Sequence, residues 1–125
     1  PLEALAYVDY LLPNEMELKQ LVPHLDGELE RAEYLLQYGV KNVLVTLGAK
    51  GSLYVGEEGV FQTSAPQVDV VDTVAAGDTF AGYFVSFLNE GYPLQKAISL
   101  AHKAGSLAVT RKGSQKSIPY RKELI

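Results

Sequence analysis

A glycine and an acid stand side by side where a loop of small residues turns into a helix: Ala75, Ala76, Gly77 and Asp78, just ahead of Phe80. The first backbone N–H groups of a helix have no partner within it, and the helix dipole favours negative charge there. Ala75, Ala76 and Gly77 let an anion approach those amides closely. Such a mouth suits a phosphoryl group, whose charge spreads over its oxygens during transfer. Asp78, at the same mouth, is placed to accept a proton from an attacking hydroxyl. The competing reading makes Asp72 and Asp78 ordinary acids of a helix's first turn.

Two other places carry the same double reading. Asn14 can cap a helix, with Glu15 and Glu17 suited to its first turn; on that reading Glu17 merely faces solvent. Thr46, Leu47, Gly48, Ala49, Lys50 and Gly51 follow an apolar run, and ligands in open α/β sheets bind outside the carboxyl ends of the strands. An ordinary glycine turn ahead of a hairpin explains the same residues. His102 lies within a helical pattern, where a lone histidine is most often a partly buried surface residue. His24 has no second histidine or cysteine placed as a metal partner.

These residues need elements to hold them. The run 6–12 reads as a short buried strand, ended by Pro13-Asn14. A helix follows to about Leu21, and Asp26 can cap a second helix with Leu29, Ala32, Leu35 and Leu36 on one face. Gly39 stops that helix as a left-handed C-cap would. The run 42–47 has the continuous apolar character of a strand covered on both faces. Residues 52–55 and 60–63 flank Gly56-Glu57-Glu58-Gly59, a hairpin signal. A third helix begins near Ala76 and places Phe80, Phe84, Phe87 and Leu88 on one face. Gly91-Tyr92-Pro93 breaks it, and a fourth helix carries Leu94, Ala97, Ile98, Ala101 and Ala108. Alternating strands and helices with short connections argue for an α/β fold with a largely parallel sheet flanked by helices.

Composition excludes several classes. Fifteen acidic against eleven basic residues give a net charge of −4, with no Lys/Arg-rich run, a poor footprint for nucleic acid or an anionic membrane. No cysteine is present, so neither a disulfide framework nor a cysteine metal site exists. At 125 residues with 47% hydrophobic content, the chain fits one domain with a real core. No apolar run reaches membrane-span length, and a cytoplasmic small-molecule enzyme is expected. Because the first residue is Pro1, the chain is expected to begin inside a longer protein.

The string DTVAAGDTFAG (72–82) resembles the C-terminal signature of the ribokinase-like carbohydrate kinases, the PfkB family. The resemblance continues through Pro13-Asn14-Glu15-Met16-Glu17, similar to the family's Asn-x-x-Glu element, through VTLGAKG (45–51), and into AVTRKGSQKS (108–117). The four matches occur in the family's order and cover nearly the whole chain. They imply a three-layer, mostly parallel α/β sheet of ribokinase-like, Rossmann-like kind, incomplete here: residues 1–125 would be the C-terminal nucleotide-binding and catalytic part, without the sugar-binding half and its lid.

The resemblance also implies roles. Asp78 would deprotonate a sugar hydroxyl, and the amides of Ala76 and Gly77, beside Ala75, would form the anion hole. Asn14 and Glu17 would act near the phosphates and Mg2+, largely through water. Thr46 to Gly51 would lie along ATP, and His102 near the adenine. Asp72, the carbonyls of Val74, Ala108, Arg111 and Gly113, and Ser117 would form a K+ site; a basic helix end stopped by glycine is the other reading of 111–113. The implied reaction is ATP-dependent phosphorylation of a sugar, D-ribose ahead of fructose, a keto-deoxy sugar acid or a nucleoside. Ala81, where Asn often follows GDTF, departs from the ribose-kinase pattern and bears on the substrate more than on the reaction. A non-catalytic nucleotide-binding fragment is the rival from another class. The expected partners are ATP and a sugar, together with association of the chain with itself or with the missing half.

Overall fold

The computed structural model describes residues 2–68, 76–110 and 124. It divides into two compact units, residues 1–62 and 63–125. Asp72, Val74, Ala75, Arg111, Gly113 and Ser117 lie outside the described residues.

In the first unit, β2 (Asn42–Thr46) is the organising strand. It pairs in parallel with β1 (Tyr10–Leu11), Tyr10 opposite Asn42 and Leu11 opposite Val43. It pairs antiparallel with β3 (Ser52–Gly56), Leu44 opposite Tyr54 and Thr46 opposite Ser52. β4 (Gly59–Thr63) completes the sheet order β1-β2-β3-β4. The sheet is therefore mixed: the β1–β2 pair carries the expected parallel character, and β2–β3 is antiparallel because residues 47–51 reverse the chain at once. Alternate residues of β2 and β3 point to opposite faces. Val43, Val45, Leu53 and Val55 join Leu18, Val22, Ala32 and Leu35 in one core, which seats α1 (Glu15–Leu21) and α2 (Glu28–Leu36) against the sheet. Leu44 and Tyr54, on the other face, are fully buried as well, as the continuous apolar run predicts.

Two local expectations give way. The run 6–12 is not one strand: residues Leu2–Tyr7 form a 3-10 helix, and only Tyr10–Leu11 are extended. Leu2, Leu5 and Val8 all pack against the core. That spacing of three is what a 3-10 helix lines up on one side. The cap of α2 is Gly27, with φ −106° and ψ 154°, and not Asp26. The Glu30 carboxylate folds back over Gly27 and occupies the space a side chain would need. Arg31, also on α2, is 9% exposed and donates Nε–H to the Val22 carbonyl at 3.1 Å, closing the C-terminus of α1.

The second unit contains α3 (Ala76–Asn89) and α4 (Leu94–Val109), packed on each other. Phe80, Phe84 and Phe87 are buried along α3, as their spacing requires, and Ala97, Ile98, Ala101 and Ala104 along α4. Gly91, at φ +90°, makes the turn between them. Truncating Phe84 or Phe87, both fully buried, to alanine would cost about 3–5 kcal/mol.

Candidate functional site

In the first unit, two of the matched motifs converge at the carboxyl end of the parallel pair. Past β1 the chain stays beside β2: Thr46 N–H donates to the Pro13 carbonyl at 2.9 Å, and Asn14 bridges Thr46. Asn14 then caps α1 with extended backbone (φ −82°, ψ 176°). Its Oδ1 accepts from Glu17 N–H at 2.8 Å, and Glu17 Oε1 accepts from Asn14 N–H at 2.9 Å. This reciprocal capping box satisfies two orphan amides and fixes both side chains relative to Thr46. The capping reading of Asn14 is thus observed, and Glu17 is bonded back to Asn14 and not merely solvated. Each still has polar capacity: Asn14 Nδ2 and Glu17 Oε2 have no partner among the described residues.

The segment after β2 is a tight, self-bonded turn. Gly48–Lys50 form a single 3-10 turn, Leu47 N–H reaches the Gly51 carbonyl at 2.8 Å, and Gly51 N–H reaches Gly48 at 3.1 Å. Gly48 (φ +61°) and Gly51 (φ +102°) both take left-handed backbone. Gly48, Ala49 and Lys50 are exposed, with the Gly48 Cα facing open space. Beside them, a cavity of about 450 Å3 opens among Gly27, Leu29, Leu47, Leu53 and Phe61. Glu28 and Glu30 also line it, which makes it a poor place for a phosphate.

In the second unit, Gly77 and Asp78 are exposed in the first turn of α3, as the loop-to-helix pattern predicts. Among the described residues, a Cβ on Gly77 would meet nothing within 4 Å, so none of them blocks that turn. A shallow cavity of about 250 Å3 adjoins Asp78 and is lined also by Thr79, Gly82, Tyr83 and Ser86. His102 is buried between α3 and α4, its ring centroid 4.6 Å from that of Phe80. Burial lowers its pKa to about 4, so the ring is neutral at physiological pH. Ala108 lies in the last turn of α4, where the Thr110 amide donates to the Leu107 carbonyl at 3.2 Å.

Among the described residues, no group of three or more His, Asp or Glu side chains could cage a metal ion, and no helix is long and apolar enough to cross a membrane. Magnesium does not need such a cage, because it keeps several waters and binds through one or two acidic groups plus phosphates. The exposed, half-committed Glu17 carboxylate fits that role. Of the six residues matched to a potassium site, Ala108 alone is described.

Sequence reasoning missed Thr79. It is 5% exposed, and its Oγ1 is buried with no hydrogen-bond partner among the described residues. Its place beside Phe80, at the border of the apolar stripe of α3, was the available signal.

Comparison with known proteins defines the class. The pfkB family of carbohydrate kinases matches residues 1–121. The ribokinase of Staphylococcus aureus is 40% identical over 129 aligned residues, covering 99% of this chain and 42% of the relative. The crystal structure of a Thermotoga maritima ribokinase superposes with a TM-score of 0.91 at 41% identity, over 99% of this chain and 43% of that one. Arabidopsis thaliana ribokinase, solved in complex with ribose and ATP, gives a TM-score of 0.91 at 38% identity, over 99% and 42%. The chain belongs to the pfkB family of carbohydrate kinases, has the ribokinase fold, and corresponds to the C-terminal part of those proteins. It spans about two fifths of the length of the relatives it matches.

Proposed function

We propose that this chain supplies the ATP site, anion hole and catalytic base of a kinase that phosphorylates a sugar hydroxyl, with D-ribose as the acceptor and ribose 5-phosphate as the product. The observation that carries the reading is the exposed Gly77–Asp78 turn at the mouth of α3, in a chain aligned over 99% of its length with a ribokinase. Asp78 takes the proton as the sugar oxygen bonds to the γ-phosphorus and the bond to the ADP oxygen breaks. The amides of Ala76 and Gly77 hold the charge that spreads over the transferring oxygens. Residues 46–51 lie along the nucleotide, and His102 lies toward the adenine.

Asn14 and Glu17 would hold a water-rich magnesium ion, which would supply positive charge to offset that of the phosphates. Asp72, Val74, Ala108, Arg111, Gly113 and Ser117 would hold potassium, which would supply a fixed positive charge. Residues 1–125 act as the C-terminal nucleotide and catalytic part, with the sugar contacts on chain that the relatives have and this sequence does not span. A second reading, nucleotide binding without turnover by this chain alone, is supported by the same share of 42%. A base without an oriented hydroxyl loses the proximity contribution, worth about 7–11 kcal/mol in well-aligned reactions.

Two measurements test the proposal. The purified 125-residue chain should bind ATP or ADP in a titration and release no ADP in response to ribose; robust ribose-dependent turnover would overturn the division of labour. In the complete enzyme, Asp78→Asn should lower kcat by at least ~10²-fold while nucleotide affinity holds, the low end for lost general-base catalysis. Near-normal turnover would remove Asp78 from the mechanism.

A further inference from the structure

The peptide unit that joins Ala76 to Gly77 has two polar ends. Because a trans peptide is planar, its carbonyl and its N–H point in opposite directions and move together. The N–H end belongs to Gly77, which is exposed and has none of the described residues within 4 Å of a Cβ placed there. The carbonyl end is backed by α4. A Cβ on Gly105 would lie 3.4 Å from the Ala76 carbonyl oxygen and 3.8 Å from the Phe80 Cβ. Gly105 sits well inside α4, where glycine is less stable than alanine. Its neighbours on the buried face, Ala101, Ala104 and Ala108, are also small, so α4 lies close against the first turn of α3. A Cβ at 105 would just reach ordinary van der Waals contact. A γ carbon, about 1.5 Å further out, has no such space.

We propose that Gly105 is a positioning residue for phosphoryl transfer: its bare Cα lets α4 back the Ala76 carbonyl and so aims the Gly77 N–H at the transferring group. The rigid peptide plane carries the constraint from one end to the other. A donor displaced by about 1 Å loses much of its value to a transition state, since misplacements of that size can cost ~10²-fold in rate. Position 105 therefore takes glycine or alanine and nothing larger. The inference rests on the anion-hole reading of Ala76 and Gly77 in the proposed function, and adds to it the residue that sets their direction.

The test is a graded series, Gly105→Ala, Gly105→Ser and Gly105→Val, in the complete kinase that contains this chain. Phe87→Leu is the control, because Phe87 is fully buried in the same helix pair and lies toward the far end of α3 from the turn. Gly105→Ala should raise the melting temperature and keep the parent's kcat. Gly105→Val should lower kcat at least ~10-fold with the KM for ATP unchanged, and Gly105→Ser should fall between. Phe87→Leu should lower the melting temperature and leave kcat alone. Binding of ADP with aluminium fluoride, a mimic of the transferring phosphoryl group, should weaken in step with kcat, while binding of ADP alone holds. Parental kcat in Gly105→Val overturns the inference. So does a loss that Phe87→Leu reproduces at equal melting temperature, or one that appears only in KM. If Gly105→Val does not fold, Gly105→Ser decides by the same criteria. A parent enzyme that binds ADP with aluminium fluoride no more tightly than ADP removes the anion hole itself; tight binding that every variant keeps removes Gly105 alone.

Discussion

At the amino end of β2, Asn42 is 4% exposed and uses its whole side chain internally. Its Nδ2 donates to the Asp9 carbonyl at 2.9 Å, and its Oδ1 accepts from the Tyr54 hydroxyl, which in turn accepts from Glu58 N–H at 3.2 Å. At the carboxyl end, Asn14 is exposed, and its oxygen holds only the amide of Glu17, three residues on. The first network joins β1, β2 and the β3–β4 turn, with no room for change: a Cβ on Gly56 would lie 2.6 Å from the Tyr54 oxygen and 2.7 Å from Asn42 Oδ1. Burial raises the pKa of Tyr54, which keeps the phenol neutral and able to donate. The carboxyl end instead has open space over Gly48 and spare polar atoms on Asn14 and Glu17. One end of the sheet is closed for stability, and the other keeps its polar groups available to a ligand.

The largest effect expected is at the closed end. Asn42→Ala removes one buried and one part-buried bond and leaves the Tyr54 O–H without its acceptor, at a cost of about 3 kcal/mol. Urea unfolding should show the loss, and nucleotide affinity of the folded protein should not change. A stability loss below a few tenths would mean that the network contributes nothing and that the contrast between the ends is false.

His102 sharpens the contrast from the second unit, being another buried polar group. Its pKa of about 4 lies below the ~6.5 of an exposed histidine, so the unfolded chain takes up the proton first. The neutral ring's contribution is complete above about pH 6.5 and is lost as the pH falls toward about 4. Between pH 7 and pH 5 this amounts to about 2 kcal/mol. His102→Gln should remove that part of the acid sensitivity in paired denaturation curves; an unchanged pH dependence would contradict it.

At the open end the stability effects are smaller and the functional ones larger. Asn14→Ala should cost about 1 kcal/mol, as loss of an N-cap does, and should weaken nucleotide binding in the presence of magnesium more than in its absence. Equal weakening in both conditions would reduce Asn14 to a cap. The smallest effect belongs to Gly48→Ala: the new methyl meets no neighbour, and only the left-handed backbone at φ +61° costs about 1 kcal/mol. Calorimetry should find a shift of that size at most, and a larger one would mean that the turn is packed.

The sequence by itself determined what depends on neighbours within a few residues. Asn14 as a cap, Gly39 and Gly91 as helix stops, the hairpin around Glu57-Glu58, and the buried stripe of Phe80, Phe84 and Phe87 all follow from capping chemistry, backbone freedom and helical period. The Gly77–Asp78 turn was legible for the same reason, since an acid and a glycine at a helix mouth are a local pattern. Tertiary structure decided what joins distant segments. Asn42 reads only as the polar first residue of an apolar run until Tyr54, twelve residues on, is brought to its side chain by the antiparallel register. The spacing of Leu2, Leu5 and Val8 gains meaning only when a core exists for them to face, and so the run 6–12 passes for a strand. Thr79 and His102 are polar residues whose exposure no periodicity reports. Their burial depends on how α3 and α4 pack, and desolvation by that packing is what lowers the His102 pKa and makes the lone Thr79 hydroxyl conspicuous.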